Sequence, residues 1–346
     1  MNKPLTIQDI NDLIGRTFTP AATPEEAMVY KNNTWYYSAD ADGNVTSLNL
    51  HSLGLTDTQI VFLQDLPHLQ ALNLTENKLT LFDFGASMEN LRLVDLSMNP
   101  GLKTVSFSIP LPHLEKLDLS ESGIEALTVS KGFERLNNLD LRKNALTRID
   151  FEGDCPALVS LDLSENQLTL LSLPAGFGVL KYLYLNDNEL EQLTIASPLP
   201  ALKTLHLREN KLKNLSEDFL KPFPVLETLY LQKNPLPDAI RGFLEEDEYR
   251  NSLETIQMYC RELSKGKTLD NETKVLLIGN GNVGKSCLVE RLVYNRFNPK
   301  WNSTHGIVLE RYDKPGFEYV LNLWDFGGQD IYHATHRLFM QSDATG

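Results

Sequence analysis

Along the first two-thirds of the chain, apolar and polar positions recur in the frame LxxLxLxxN, with starts at Val45, Leu69, Leu91, Leu114, Leu136, Leu158, Leu180, Leu202 and Leu226. Successive starts are 22 to 24 residues apart, a fixed period that marks a stacked repeat architecture. In LVSLDLSENQL (158–168), Leu161 and Leu163 are two residues apart. On a short strand they share one face, and Asp162 takes the other. Stacking such strands predicts a parallel sheet. Asparagine returns at the end of the frame, at Asn77, Asn99, Asn144, Asn166, Asn188, Asn210 and Asn234. There its amide can both donate to and accept from the backbone turning out of the sheet, which predicts an internal hydrogen-bonded ladder. Leu53 and Ser122 interrupt it. About a dozen residues are left for each return, too few for a long crossover helix, so extended or 3₁₀ segments are expected on the outer side.

This frame resembles that of leucine-rich repeat proteins from about Val45 to Leu236. A solenoid of about nine repeats needs covered ends. Residues 1–44, with Ile7, Ile10, Leu13 and Ile14 at helical spacing and the aromatic cluster Trp35, Tyr36 and Tyr37, read as the N-terminal cap, and 45–236 as the solenoid. Pro235 and Pro237 break the register, and helical spacing over 237–263 predicts a helical C-terminal cap. Residues 264–273 read as a linker ahead of a second domain at 274–346. The solvent-facing position between the paired leucines runs Asn49, Asn73, Asp95, Asp118, Asp140, Asp162, Tyr184, His206, Tyr230. One reading is a concave acidic surface with an aromatic patch, fitted to a basic protein partner or to another domain of the same chain. The other is that aspartate simply fills this position, solvated and screened.

A different pattern begins after the linker. KVLLIG (274–279) is a short apolar run suited to a buried strand, and it leads into Gly279-Asn280-Gly281-Asn282-Val283-Gly284-Lys285-Ser286-Cys287. The first eight of these residues form a complete GxxxxGK[ST] motif. The following SCLVERLVYNRF has Leu288, Leu292 and Val293 at helical spacing. Glycines let successive N–H groups converge on phosphate oxygens, and the helix N-terminus adds partial positive charge. Lys285 then reaches the terminal phosphates, and the Ser286 hydroxyl is a Mg²⁺ ligand. A second apolar strand, preceded by a hairpin turn at Lys314-Pro315-Gly316, ends in Asp325-Phe326-Gly327-Gly328-Gln329.

At these offsets the chain resembles Ras-like GTPases. Phe297 stands where that superfamily places an aromatic ring against guanine, and Thr304 where a switch threonine closes over Mg²⁺ and the γ-phosphate. Taken alone, Phe297 could pack under the helix end and Thr304 could be an ordinary loop hydroxyl. The DxxGQ segment implies that Asp325 holds the Mg²⁺ hydration shell, Gly328 offers an N–H to the γ-phosphate, and Gln329 orients the attacking water, with Lys285 stabilising charge. With the repeats ahead of it, and with STHGI (303–307) and WDFGGQDIYHATHRLF (324–339), the chain resembles the Roco proteins and their Roc domain. The fold class expected is therefore α/β, a leucine-rich repeat solenoid followed by the first half of a P-loop Ras-like GTPase domain. The resemblance implies GTP/GDP and Mg²⁺ as cofactors and a regulatory GTPase. It also implies a COR dimerisation domain beyond a truncated end, hence a homodimer of the intact protein. The alternative is a repeat scaffold whose incomplete nucleotide domain is not catalytic. His333 and His336 have no carboxylate or cysteine to complete a metal site.

Composition narrows the rest. The 32 basic and 46 acidic residues give a net charge of −14, which argues against nucleic acid and anionic lipid as partners. Residues 273–346 hold 8 bases and 7 acids, so the acidity belongs to the first 272 residues. Cys155, Cys260 and Cys287 form no CxxC pair and read as reduced thiols of a cytoplasmic protein. No apolar run approaches the ~18 to 20 residues of a membrane span, and the N-terminus lacks a signal-peptide pattern.

Overall fold

The structure, a computed structural model, describes residues 5–29, 31, 34–245, 250–264, 272–277, 283–297, 307–313 and 320–326. The chain divides into two compact units, Met1–Ser264 and Lys265–Gly346. Among the described residues, no helix is long and apolar enough to cross a membrane.

The first unit is a solenoid. Nine short inner strands, from Val45–Asn49 to Thr228–Tyr230, pair in parallel with each repeat directly opposite the next. Eight turns of chain therefore separate the first from the last. The paired leucines of every frame point inward and are buried, Leu161 and Leu163 among them. At roughly 1.5 to 3 kcal/mol for each buried leucine, this column dominates the stability of the unit. The returns are extended or 3₁₀, as the short spacing predicts. Strands Leu81–Phe84 and Thr104–Phe107 pair on the outer side, as do Ala126–Val129 with Arg148–Phe151 and Leu170–Leu173 with Gln192–Ile195. Phe84 stacks on Phe107 at 5.1 Å, Phe107 meets Phe133 edge-on at 5.0 Å, and Phe151 meets Phe177 at 5.1 Å.

The asparagine ladder is present. Asn166 Nδ2 donates to the carbonyls of Leu141 (3.0 Å), Leu163 (3.0 Å) and Ser164 (3.1 Å), while its Oδ1 accepts from Leu146 N (3.0 Å). One side chain thus ties its own coil to the preceding one. At Ser122 the hydroxyl reaches only Ser120 O, at 3.2 Å, and Asn99 N, at 3.4 Å. Leu102 N turns instead to Asn99 O of its own coil, at 2.8 Å.

Each end is closed differently. Helix Ile7–Ile14 buries Ile10 and packs Ile7 and Ile14 on the core, but Leu13 is 61% exposed and does not belong to the predicted apolar face. A second, one-turn helix, Pro24–Ala27, leads to carbonyls that take the amides of Asn49 (Ala27 O, 3.0 Å) and Asn73 (Met28 O, 3.0 Å). These two positions are buried, not solvent-facing as the alternation predicts, because the cap lies over them. The sheet edge at this end is the two-residue strand Thr19–Pro20, where a short run and a proline discourage further pairing. At the far end, Asn251 imitates the missing next strand. Its Oδ1 accepts from Leu229 N (3.0 Å), its Nδ2 donates to Glu227 O (2.8 Å), and Ser252 N donates to Leu229 O (2.7 Å). Helices Asp238–Glu245 and Leu253–Ser264 flank this segment, burying Ile240, Leu244, Ile256 and Cys260.

The second unit has a three-stranded sheet among its described residues. Strand Val320–Phe326 lies in the middle, parallel to Glu272–Leu277 and antiparallel to the edge strand Ile307–Tyr312.

Candidate phosphate and metal site

The site is built where two parallel strands end side by side. Leu277 is paired with Asp325, so the chain leaving the first strand starts toward the phosphate loop next to that carboxylate. Helix Lys285–Tyr294 follows and packs against strands Ile307–Tyr312 and Val320–Phe326. Its cap, Gly284, has φ 94°. That left-handed conformation is strained for any residue with a Cβ, which explains glycine directly before the lysine.

The helix buries Val289, 4% exposed, whereas Leu288 is 51% exposed. Of the stripe read from Leu288, Leu292 and Val293, the two leucines are therefore exposed and only Val293 lies on the packing side. Ser286, Val289 and Val293 share the inward side, three and four residues apart, and that rotation carries Ser286 to the sheet. Its hydroxyl donates to Asp325 Oδ2. Asp325 is 2% exposed at the end of an apolar strand, a position where a carboxylate is costly unless it is paired or coordinates a cation. The structure thus brings together two residues from segments 39 apart in sequence, both predicted to serve the same cation.

Lys285 is the first residue of the helix and Cys287 the third, both half-buried, and Val283 is exposed. Phe297, three residues past the helix end, is 68% exposed and does not pack under it. Gly279, Asn280, Gly281, Asn282, Thr304, Gly328 and Gln329 lie outside the described residues, as do His333, His336 and the turn at 314–316. Two contacts escaped sequence reasoning. Tyr294 donates to Glu310 Oε2 at 2.6 Å, joining the helix to the edge strand. Lys274 Nζ lies 4.2 Å from the centre of the Trp324 ring, on the neighbouring strand. Neither pair carries a motif; helix-on-strand packing places the first and strand register the second.

A hydroxyl and a carboxylate are hard oxygen donors, and Mg²⁺ characteristically takes one or two such protein ligands and completes its shell with water and substrate phosphates. The residues present fit that ion. Among the described residues, no cluster of three or more His, Cys, Asp or Glu could hold a metal ion by itself.

Fold and site define a repeat solenoid joined to a P-loop unit with Ras-like strand order. Comparison with known proteins agrees. Residues 274–345 match the family model "Ras of Complex, Roc, domain of DAPkinase", and residues 178–236 match "Leucine rich repeat". A Roc-COR-CHAT protease from an unknown prokaryotic organism is 34% identical over 363 aligned positions, which cover 98% of this chain and 34% of that protein. The Ras-related protein SEC4 of Saccharomyces cerevisiae is 45% identical over 69 residues, 19% of this chain and 32% of the relative. Among solved structures, an internalin (InlF) of Listeria monocytogenes covers 60% of this chain, with 69% of its own, at 21% identity and a TM-score of 0.36, a likeness too loose to build on. The chain combines leucine-rich repeats with a Roc domain in that order. It spans about a third of the length of these two curated relatives.

Proposed function

We propose that the Roc unit binds GTP and GDP with Mg²⁺ and hydrolyses GTP, and that the solenoid presents its concave face to a protein partner or to another domain of the same protein. The observation that carries the nucleotide reading is the Ser286–Asp325 contact, which joins the phosphate-loop helix to the aspartate that opens the DxxGQ segment at the end of its strand. The N–H groups of the helix start and the Lys285 ammonium hold the terminal phosphates. Ser286 and Asp325 hold the cation, which when bound neutralises charge on the phosphates. Gln329 orients the water; it needs no basicity, because phosphoryl transfer asks for positioning and charge stabilisation more than for covalent chemistry.

The test is Mg²⁺-dependent turnover by the intact protein. Lys285→Ala is expected to abolish nucleotide binding, and Gln329→Leu to slow hydrolysis by at least about tenfold while leaving nucleotide affinity within about twofold. ATP turned over as fast as GTP defeats the guanine assignment.

A further inference from the structure

On the inner sheet face, Asp95, Asp118, Asp140, Asp162, Tyr184, His206 and Tyr230 stand directly opposite one another in the parallel register, one per strand. The N-terminal cap covers Asn49 and Asn73, and the open part of the column begins where it stops. All seven open positions remain part-exposed. Seven strands at about 4.8 Å spacing make a track of about 29 Å, the length of about nine extended residues.

The carboxylates are held in place by their own loops. Asp95 Oδ1 accepts from Ser97 N (3.0 Å), Asp118 Oδ1 from Ser120 N (2.9 Å), Asp140 Oδ1 from Arg142 N (3.0 Å) and Asp162 Oδ1 from Ser164 N (2.9 Å). Side chains fixed this way lose little freedom on binding. The groups bearing on Asp140 are Asp118 and Asp162 from the flanking strands and Arg142 from the loop that follows its own strand. Burial first, and these like charges second, work against its ionised form. Burial and then Asp95 do the same to Asp118. Beyond the acids, Tyr184 and His206 meet edge-on at 4.9 Å, and His206 and Tyr230 at 4.6 Å. Such a stack offers a rigid surface to an apolar or cationic side chain.

We propose that this face binds an extended, lysine- or arginine-rich segment of a partner protein, its basic side chains over Asp95 to Asp162 and its next apolar residues against Tyr184, His206 and Tyr230. This rests on the concave-face reading above and gives the partner its chemistry. A like-charged ladder gains most from a cationic occupant. The aromatic end fixes the direction in which the segment lies.

The experiment is fluorescence anisotropy on the full chain with a labelled peptide, Lys-Lys-Gly-Lys-Lys-Gly-Leu-Phe-Gly, and a twin carrying Glu at every Lys. The basic peptide is expected to bind and the acidic twin not to. Asp118→Asn with Asp140→Asn keeps the loop-bonding oxygens and is expected to weaken binding at least tenfold. Tyr184→Ala with Tyr230→Ala does so to a similar degree. Asp83→Asn, on an outer strand, leaves affinity unchanged. Binding also weakens as Asp140 takes up its proton between pH 7.5 and pH 5. Equal binding of the acidic twin, no response to the double Asn variant, or no binding of the basic peptide overturns the inference. Loss caused by Asp83→Asn alone overturns the concave-face reading beneath it as well.

Discussion

Asn166 shows how much one side chain can hold in this fold. It satisfies three carbonyls and one N–H across two coils, so Asn166→Ala leaves buried backbone groups unpaired and is expected to cost about 2 to 4 kcal/mol in chemical denaturation. Ser122 makes fewer and longer bonds, and Ser122→Ala should cost less than about 1 kcal/mol. The ladder was readable because asparagine recurs at a fixed place in every frame. Another residue-scale regularity was not. Glu76, Met98, Glu121, Lys143, Glu165, Asp187, Glu209 and Lys233, each directly before the ladder position, have φ between 52° and 58°. Glycine or asparagine would have signalled that turn, and none is used. The tertiary hydrogen bonds of neighbouring coils impose it, such as Glu165 N to Asn186 O at 2.9 Å.

At the scale of elements, the inner strands and the phosphate-loop helix were legible, whereas the faces they cover were set by partners far away in sequence. Apolar spacing on the helix pointed to Leu288, Leu292 and Val293, but the buried residue is Val289 and the two leucines stay exposed. The change from Asn to Asp along the inner column likewise has its cause in the cap. An amide is needed where Ala27 and Met28 present carbonyls, and a carboxylate suits the open strands beyond. Asn73→Asp sets a carboxylate against Met28 O and should loosen the cap, read as faster amide exchange or proteolysis around residues 23–35 with a cost of about 1 to 3 kcal/mol. The acid strands carry a pH signature of their own. Burial, together with Asp118 and Asp162, raises the Asp140 carboxyl to about 6. A raised carboxyl binds its proton more tightly folded than unfolded, so its penalty is complete above pH 6 and fades as pH falls toward the unfolded value near 4. Asp140→Asn keeps the acceptor for Arg142 N and should raise the thermal midpoint of the solenoid at pH 7.5, with the gain vanishing by pH 4. A gain that persists at pH 4 contradicts this assignment.

For the whole molecule, the division of charge follows the division of labour. The first 272 residues carry a net −15 and the rest of the chain a net +1, so an acidic chain is compatible with an anion site at one helix start. Fold class was legible because both units are written in local patterns, a period of 22 to 24 residues and a phosphate motif between strand and helix. The pairing of Ser286 with Asp325 was only implied, since it depends on two strands ending side by side.

A guanine nucleotide bound between this helix start and this carboxylate is the reading on which the proposed function stands. Its most direct test is calorimetric titration of the intact protein with GDP and with ADP in Mg²⁺, repeated on Lys285→Ala. Expected are saturable GDP binding, at least about a hundredfold weaker ADP binding, and no heat from the variant. Equal affinity for the two nucleotides, or GDP binding untouched by Lys285→Ala, contradicts it.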